Sequence, residues 1–478
     1  MSSPDGRLHL LFISVHGLIR GKDLELGRDA DTGGQTRYVV ELARALGERQ
    51  DVARVDLLTR RVLDSSVSAD YARNEEMLSD AARIIRLDCG EEAYLPKEQL
   101  WDCLDVFADN ALHWLREHEL TPDIVHSHYA EAGYVGIRLS SQLGVPLVHT
   151  GHSLGRVKRR RLLARGLKRD DIEARYNMSR RVEAEEAILG TAELVITSTN
   201  QEIEQQYGLY DHYQPEKMRV IPPGTELDSF YPPDGSEHDS PMYRELGRFL
   251  LNPDRPMILA LSRPDTRKNI TALLEAYGES EAMQAAANLV VIAGNRNDIR
   301  DMDSEAQQVL NDILLTIDQY DLYGKVAYPK AHRPEEVPVL YRLAAASQGV
   351  FINPALTEPF GLTLIEAAAT GLPIVATEDG GPRDITANCR NGYLVDPLDQ
   401  QDIAKALLKV LSDARQWREL SASGLAGVQR HYSWQAHTGT YVATLQDMLA
   451  SSKPAPLVTP RRRGGLYHDR AIFTDLDQ

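Results

Sequence analysis

Short apolar runs recur along the whole chain and alternate with segments of helical spacing. The first is Leu8-His9-Leu10-Leu11-Phe12-Ile13-Ser14, followed by a polar loop through Gly17, Gly21 and Gly27. That loop ends in Asp31-Thr32-Gly33-Gly34-Gln35, after which Tyr38, Val39, Leu42, Ala43 and Leu46 return at helical spacing up to Gly47. Strand, glycine turn and helix in that order open a Rossmann-like domain. Asp56-Leu57-Leu58-Thr59, Ile124-Val125-His126, Pro146-Leu147-Val148-His149 and Leu194-Val195-Ile196-Thr197 continue the pattern. Runs of strand length that are apolar at successive positions are buried on both faces, as in a parallel sheet covered by helices. The expectation is an α/β fold.

Composition shifts to proline, glycine and polar residues at Pro222-Pro223-Gly224 and again over residues 232–256, which reads as a hinge or linker. A second series of strands then begins, with Met257-Ile258-Leu259-Ala260-Leu261, Leu289-Val290-Val291-Ile292-Ala293, Val350-Phe351-Ile352 and Pro373-Ile374-Val375-Ala376. A chain of 478 residues is too long for one ordinary core, so two domains of roughly 150 to 250 residues are expected. The boundaries read as a Rossmann-like domain over residues 1–245, a second over 246–432, a C-terminal helix over 433–450, a linker over 451–470 and a last segment over 471–478. Within the linker, Lys453-Pro454-Ala455-Pro456 and Arg461-Arg462-Arg463 have the character of a tether. Two parallel sheets facing across a cleft would bind ligands at the carboxyl ends of their strands.

The formal charge of −17 argues against general binding to nucleic acid or to an anionic membrane, which its field would repel. Cys89, Cys103 and Cys389 are scattered and odd in number, so a reducing compartment without a disulfide framework is expected. No long apolar run follows the N-terminus. The expectation is a cytoplasmic protein without signal peptide or membrane span.

Glu358-Pro359-Phe360-Gly361-Leu362-Thr363-Leu364-Ile365-Glu366 places two carboxylates around a glycine turn that runs into an apolar helix. Gly361 lets backbone approach a ligand, and the helix start offers unpaired amides suited to a phosphate. Glu366, in the first turn, could accept hydrogen bonds from sugar hydroxyls. The plainer alternative is that both glutamates cap and solvate a helix end. Two basic loops follow strands of the same half, Ser262-Arg263-Pro264-Asp265-Thr266-Arg267-Lys268-Asn269 and Gly294-Asn295-Arg296-Asn297. Arg263 and Lys268 are suited to hold a diphosphate and to stabilise its charge as it leaves a sugar, against the alternative of a solvated loop.

Between positions 156 and 181 stand eleven Lys or Arg and three acids, a local net +8 in an acidic chain. This predicts an anionic small molecule in the first domain, most simply a phosphate monoester. Arg159 to Arg161 read as a solvated helix face. His152, in Thr150-Gly151-His152-Ser153, follows a strand and should point into the cleft, where it could bind a hydroxyl or carry a proton. Alone it could equally be structural. The fourteen histidines form no metal-binding spacing, so no metal site is expected. Gly33-Gly34 could admit a phosphate or sugar close to backbone amides.

These blocks resemble the sucrose-phosphate synthases, a family of retaining GT-B glycosyltransferases, over nearly the whole chain. The likeness runs through His16-Gly17-Leu18-Ile19-Arg20-Gly21, residues 27–35, residues 150–155, Arg180-Arg181-Val182-Glu183-Ala184-Glu185-Glu186, Ser262-Arg263-Pro264-Asp265 and residues 358–366. It implies two Rossmann-like domains facing across a cleft, and glucosyl transfer from UDP-glucose to fructose 6-phosphate. Carried over, it implies that Glu366 binds the ribose and that Arg263 and Lys268 bind the diphosphate. Glu358, with backbone at Phe360, Gly361, Leu362 and Thr363, would hold the glucosyl part and phosphate. His152 would contact the transferred glucose and Gly34 would lie near the phosphates. Gly33, Gln35, Lys97, Tyr129, Ser153, Lys158, Arg180 and Arg181 would line the acceptor site. His152, Arg263, Lys268 and Glu358 would then serve catalysis. In the family's account the leaving phosphate takes the acceptor's proton on the same face, so no protein nucleophile and no required cofactor are implied.

The final Ala471-Ile472-Phe473-Thr474-Asp475-Leu476-Asp477-Gln478 resembles the start of a haloacid-dehalogenase-type phosphatase. It lacks the rest of such a domain, so no phosphatase activity is expected, and a sucrose-phosphate phosphatase is a candidate partner. Open alternatives are a sucrose synthase, a mannosylfructose-phosphate synthase, a nicotinamide-dependent oxidoreductase and a non-catalytic sugar-phosphate sensor. The oxidoreductase reading lacks a G-x-G-x-x-G after the first strand, and the sensor would not need the donor-side charges.

Overall fold

The apolar runs form the centres of two sheets in the computed structural model, which describes residues 6–25, 28–29 and 31–451. The first sheet contains β1 (Leu8–Ile13), β2 (Val52–Arg60), β3 (Glu75–Met77), β4 (Ala82–Leu87), β5 (Ile124–His128), β6 (Leu147–Thr150), β7 (Leu194–Thr197) and β8 (Met218–Val220). Their order is β3-β4-β2-β1-β5-β6-β7-β8, parallel except for the short edge strand β3. The alternation along β1 shows why its run is unbroken. Leu10 and Phe12 join a core with Val39, Leu42 and Leu46 of helix Gly34–Gly47, whereas Leu11 and Ile13 join Leu104, Phe107 and Leu139 on the other side. Both faces are dry, so both sets of side chains are apolar.

The second sheet contains β9 (Met257–Ser262), β10 (Asn288–Ala293), β11 (Val326–Ala327), β12 (Val350–Asn353), β13 (Ile374–Thr377) and β14 (Gly392–Val395). It is parallel throughout in the order β11-β10-β9-β12-β13-β14. Met257 and Leu259 pack into one helix layer and Ile258 and Ala260 into the other. The strand missing from the sequence reading with the clearest cause is β4. Its arginines interrupt the apolar run, yet Arg86 is fully buried against Glu76 and the Ile19 carbonyl, and Arg83 donates to Asp56 at 2.7 Å. Charge pairing lets them sit in a sheet where they would otherwise be excluded.

Three expectations about domain organisation need correction. Residues 232–256 are not a linker: helix Pro241–Leu246 buries Met242 and Leu246 in the second core, with Leu250, Tyr341 and Leu343. The chain crosses between domains near residues 222–225, well before the expected boundary at 245. There it runs beside the return crossing, with the Thr225 amide donating to the Tyr432 carbonyl at 2.8 Å and Thr225 bridging Ser433. A Cβ on Gly224 would lie 2.4 Å from the Trp434 ring, so only glycine lets the two passages touch. The C-terminal helix Trp434–Ser451 is not a separate unit. Its Tyr441, Val442 and Leu445 complete the first domain's core. The expected linker beyond Ser451, with Arg461 to Arg463, and the phosphatase-like start with Asp475 and Asp477 lie outside the described residues. Among those described, no helix is long and apolar enough to cross a membrane.

The return of the helix is secured by a buried hydrogen bond of 2.8 Å between the Tyr441 hydroxyl and His126 Nδ1. Tyr441→Phe leaves that ring nitrogen unpaired and is expected to cost about 1–3 kcal/mol. Urea denaturation would read the loss, and an unchanged midpoint would show that the bond does not secure the helix.

Candidate active site

A cavity of about 730 Å³ opens between the domains where the carboxyl ends of both sheets meet. That size suits a nucleotide sugar. Gly34, Gln35, Arg37, Tyr38 and His152 line it from the first domain, Phe360, Leu362 and Glu366 from the second, and residues 223–226 and Trp434 from the crossings.

On the second domain's side, Gly361 takes φ +98 at the start of helix Leu362–Ala369. Only glycine adopts that geometry freely, and it turns the Phe360 to Thr363 backbone across the helix start. Glu358, at 14% side-chain exposure, accepts from Lys268 Nζ at 2.7 Å and from Asn353 Nδ2 at 3.1 Å. The basic loop is fastened to the glutamate loop beneath this pair. Leu356 N donates to the Arg267 carbonyl at 2.9 Å, and Asn269 Nδ2 to the Pro354 carbonyl at 3.1 Å. Arg263 is exposed in the same loop, and Asp265 beside it is held down at about 2, chiefly by its hydrogen bond with Arg267. Glu366 accepts from the Tyr341 hydroxyl at 3.0 Å, and burial pushes its carboxyl up to about 7. Arg37 of the first domain acts against that rise through its charge.

On the first domain's side, Gly33 and Gly34 leave open space where side chains would be, and Gln35 Nε2 donates to Ser14 Oγ at 2.8 Å. Lys97 is buried, paired with Asp31. Glu98 Oε1 lies 3.7 Å from Lys97 Nζ and 3.6 Å from Lys158 Nζ, so two ammonium groups share one carboxylate. Lys158 also lies over the Tyr176 ring at 4.0 Å. Arg181 is buried, stacked 4.7 Å from Tyr129, and donates to Glu185 at 3.0 Å and to the Ser153 carbonyl at 2.7 Å. Ser153 itself is exposed. Arg180 donates to Asp102 at 2.6 Å and to the Trp101 carbonyl, on the short helix Lys97–Asp102 that also carries Lys97 and Glu98. Arg156 is likewise committed, to Glu186 and Asp211. The +8 stretch is thus divided: Lys158 and Arg181 join Lys97 and Tyr129, while Arg160 and Arg161 are exposed on helix Gly155–Ala164.

His152 stands at the cleft floor with φ +57, its Nε2 3.1 Å from His128 Nδ1. Burial pulls it down to about 3, so the ring is neutral near pH 7. Several neighbours carried no signal of their own in the sequence. Tyr341 lies mid-helix, Arg37 on an otherwise ordinary helix face, and His128 at the end of a strand. Glu131 is buried, its carboxyl pushed up to about 7 by that burial, with Oε2 3.6 Å from His16 Nδ1. Asp31 and Glu98 stood beside noted residues, but only folding reveals them as partners of Lys97. Among the described residues no group of three or more His, Cys, Asp or Glu side chains could hold a metal ion.

Glu366 has a consequence for stability. Its folded pKa, about 7, lies above the ordinary 4.5, so between those values the folded state holds the proton more tightly and stability falls as pH rises. Glu366→Gln keeps an acceptor for Tyr341 and removes the buried charge. It is expected to stabilise the protein by on the order of 1 kcal/mol above pH 7 and to leave it unchanged near pH 4. Denaturation at both pH values checks this; equal effects at both would exclude a buried ionised carboxylate.

Comparison with known proteins matches the site's two halves to two family models. Residues 33–224 match the glycosyl transferase 4-like domain and residues 244–424 the glycosyl transferases group 1. Sucrose-phosphate synthase 4 of Arabidopsis thaliana is 46% identical, over 92% of this chain and 48% of its own. The chain therefore spans about half the length of the curated relatives it matches. A solved sucrose-phosphate synthase from Thermosynechococcus elongatus superposes with a TM-score of 0.63 at 28% identity, covering 93% of this chain and all of that one. The Anabaena protein HepE in complex with UDP-glucose shares the fold, with a TM-score of 0.56 at 16% identity over 92% of this chain and all of its own. With two Rossmann-like domains meeting at a cleft and both halves matched, the chain belongs to the sucrose-phosphate synthase family of GT-B glycosyltransferases.

Proposed function

We propose that this chain transfers the glucosyl group of UDP-glucose to fructose 6-phosphate with retention, giving sucrose 6-phosphate and UDP. The observation that carries the reading is a pair of charged sets, one in each domain. The second domain has the Lys268–Glu358 pair, with Glu366 in the glycine-led helix that lines the cavity; the first has Lys97 and Lys158 sharing Glu98. The former set suits a nucleotide diphosphate sugar and the latter a phosphate monoester. The names of the relatives, and the UDP-glucose in the HepE complex, agree with that division.

In this reading Lys268 and Arg263 stabilise charge as UDP departs, and the helix start at Gly361 binds a phosphate through backbone amides. Glu366 accepts from the ribose hydroxyls. Glu358 is held by Lys268 and Asn353, which positions it for the glucosyl hydroxyls rather than for attack. The departing phosphate takes the acceptor's proton, so the protein contributes position and charge rather than a nucleophile. Lys158 and Lys97 exchange part of their hold on Glu98 for the acceptor's phosphate. The product, a phosphate monoester, is the kind of compound a sucrose-phosphate phosphatase would consume.

Release of UDP from UDP-glucose is expected with fructose 6-phosphate and not with fructose. Lys158→Ala should raise KM for fructose 6-phosphate by about tenfold or more, with the KM for UDP-glucose little changed. Turnover with fructose alone would make the Lys97–Glu98–Lys158 set irrelevant and sink this choice of acceptor. Lys268→Ala is expected to lower kcat by about 100-fold at temperatures well below its denaturation midpoint, which itself falls because Glu358 keeps only Asn353 as a side-chain partner. A wild-type rate would remove Lys268 from the stabilisation of the leaving group.

A further inference from the structure

Beneath His152 lies a set of rings whose hydrogen bonds leave one atom unpaired. His126 uses both nitrogens, Nδ1 with the Tyr441 hydroxyl at 2.8 Å and Nε2 with Thr150 Oγ1 at 2.9 Å. His128 packs tilted against it with ring centres 4.1 Å apart, flanked by Phe12 at 5.3 Å and Tyr38 at 6.1 Å. His128 Nδ1 meets His152 Nε2 at 3.1 Å, but His128 Nε2 is buried without a partner. His152 Nδ1, in contrast, is neither bonded to a described residue nor among the buried unpaired atoms, and its ring lines the cleft.

A neutral imidazole carries one N–H and one bare nitrogen, so the contact between the two rings has two forms. If His152 donates from Nε2, then His128 must carry its proton on Nε2, where no acceptor waits. If His128 donates from Nδ1, its buried Nε2 is a bare lone pair, and His152 carries its proton on Nδ1. Buried N–H groups without acceptors are rarer in folded proteins than under-satisfied acceptors. The surrounding ring faces are weak acceptors that offset little of the cost. The open His152 Nδ1 can meet water or ligand in either form, so it does not alter the choice. Burial keeps both rings neutral, His128 well below its ordinary value, which leaves tautomer and not charge as the variable.

We propose that His128 is a positioning residue that holds His152 as its Nδ1–H tautomer, so that the cleft meets a hydrogen-bond donor at this point. The proposal rests on the reading that His152 faces the transferred sugar. A donor there binds a hydroxyl oxygen through its lone pair and brings partial positive charge toward it. The opposite tautomer would require the hydroxyl to give up its own proton to the bond.

The test is ¹⁵N NMR of histidine-labelled protein near pH 7.5, with the His152 signals identified by their loss in His152→Ala. Bare and protonated ring nitrogens resonate far apart, so the tautomer is read without substrate or turnover. The wild type is expected to show Nδ1–H at His152. His128→Asn, whose amide can donate from the position of Nδ1, should keep that form and stay within about threefold of wild-type kcat. His128→Leu should release the tautomer and lower kcat about tenfold with the KM for fructose 6-phosphate unchanged. Nε2–H at His152 in the wild type would overturn the proposal, even if His128→Leu failed to fold. An unchanged tautomer in a folded His128→Leu would overturn it as well. Nδ1–H together with no transfer from UDP-glucose would support the positioning role and refute the catalytic reading instead.

Discussion

A parallel strand covered by helices on both faces can present polar chemistry only where it ends. That restriction governs this molecule. His128 closes β5, His152 follows β6, Lys268 follows β9, and Glu358 follows β12. Because the crossings at Thr225 and Ser433 run side by side, the carboxyl ends of the two sheets face one another. The cleft is therefore a product of sheet topology, with its chemistry supplied by loops whose strands are otherwise apolar.

Several charges in the loops and helices around these strand ends are paired. Lys268 holds Glu358, Lys97 holds Asp31, and Arg181 holds Glu185. A buried ion left alone would cost several kcal/mol, so the fold must neutralise each one before any ligand arrives. The pairing also sets side-chain directions, which reduces the ordering that a ligand must impose. Where the surroundings supply too little opposite charge, burial shifts the protonation equilibrium instead. Glu131 and Glu366 rise to about 7, and the histidines beneath the cleft are neutral.

The two domains share more than a junction. The chain leaves the first domain near Pro222, completes the second, and returns to bury Tyr441 and Leu445 in the first domain's core. His437 Nδ1 meets the Pro222 carbonyl at 2.6 Å and its Nε2 meets the Tyr38 hydroxyl at 3.2 Å, so the crossing, the returning helix and the cleft wall touch one another. Across the opening, Asn200 bonds to Asp384 and Gln201 to Asp379.

The parallel α/β architecture was legible because both faces of each central strand are buried, which writes itself as an unbroken apolar run. Strands with a different solution, such as β4 with its paired arginines, were hidden for the same reason. Glycine-led turns and the glutamate stretch were also legible, since special backbone geometry and charge beside an apolar helix are local features. Which partners Arg156, Lys158, Arg180 and Arg181 take was not, because helix orientation depends on packing against Tyr129, Trp101 and Tyr210, distant in the chain. The sequence alone determined the layered fold and the residue types available at strand ends. Only tertiary structure decided that Lys97 shares Glu98 with Lys158, that Tyr341 holds Glu366 and that His128 supports His152, because each contact joins segments whose proximity is set by the folded cores.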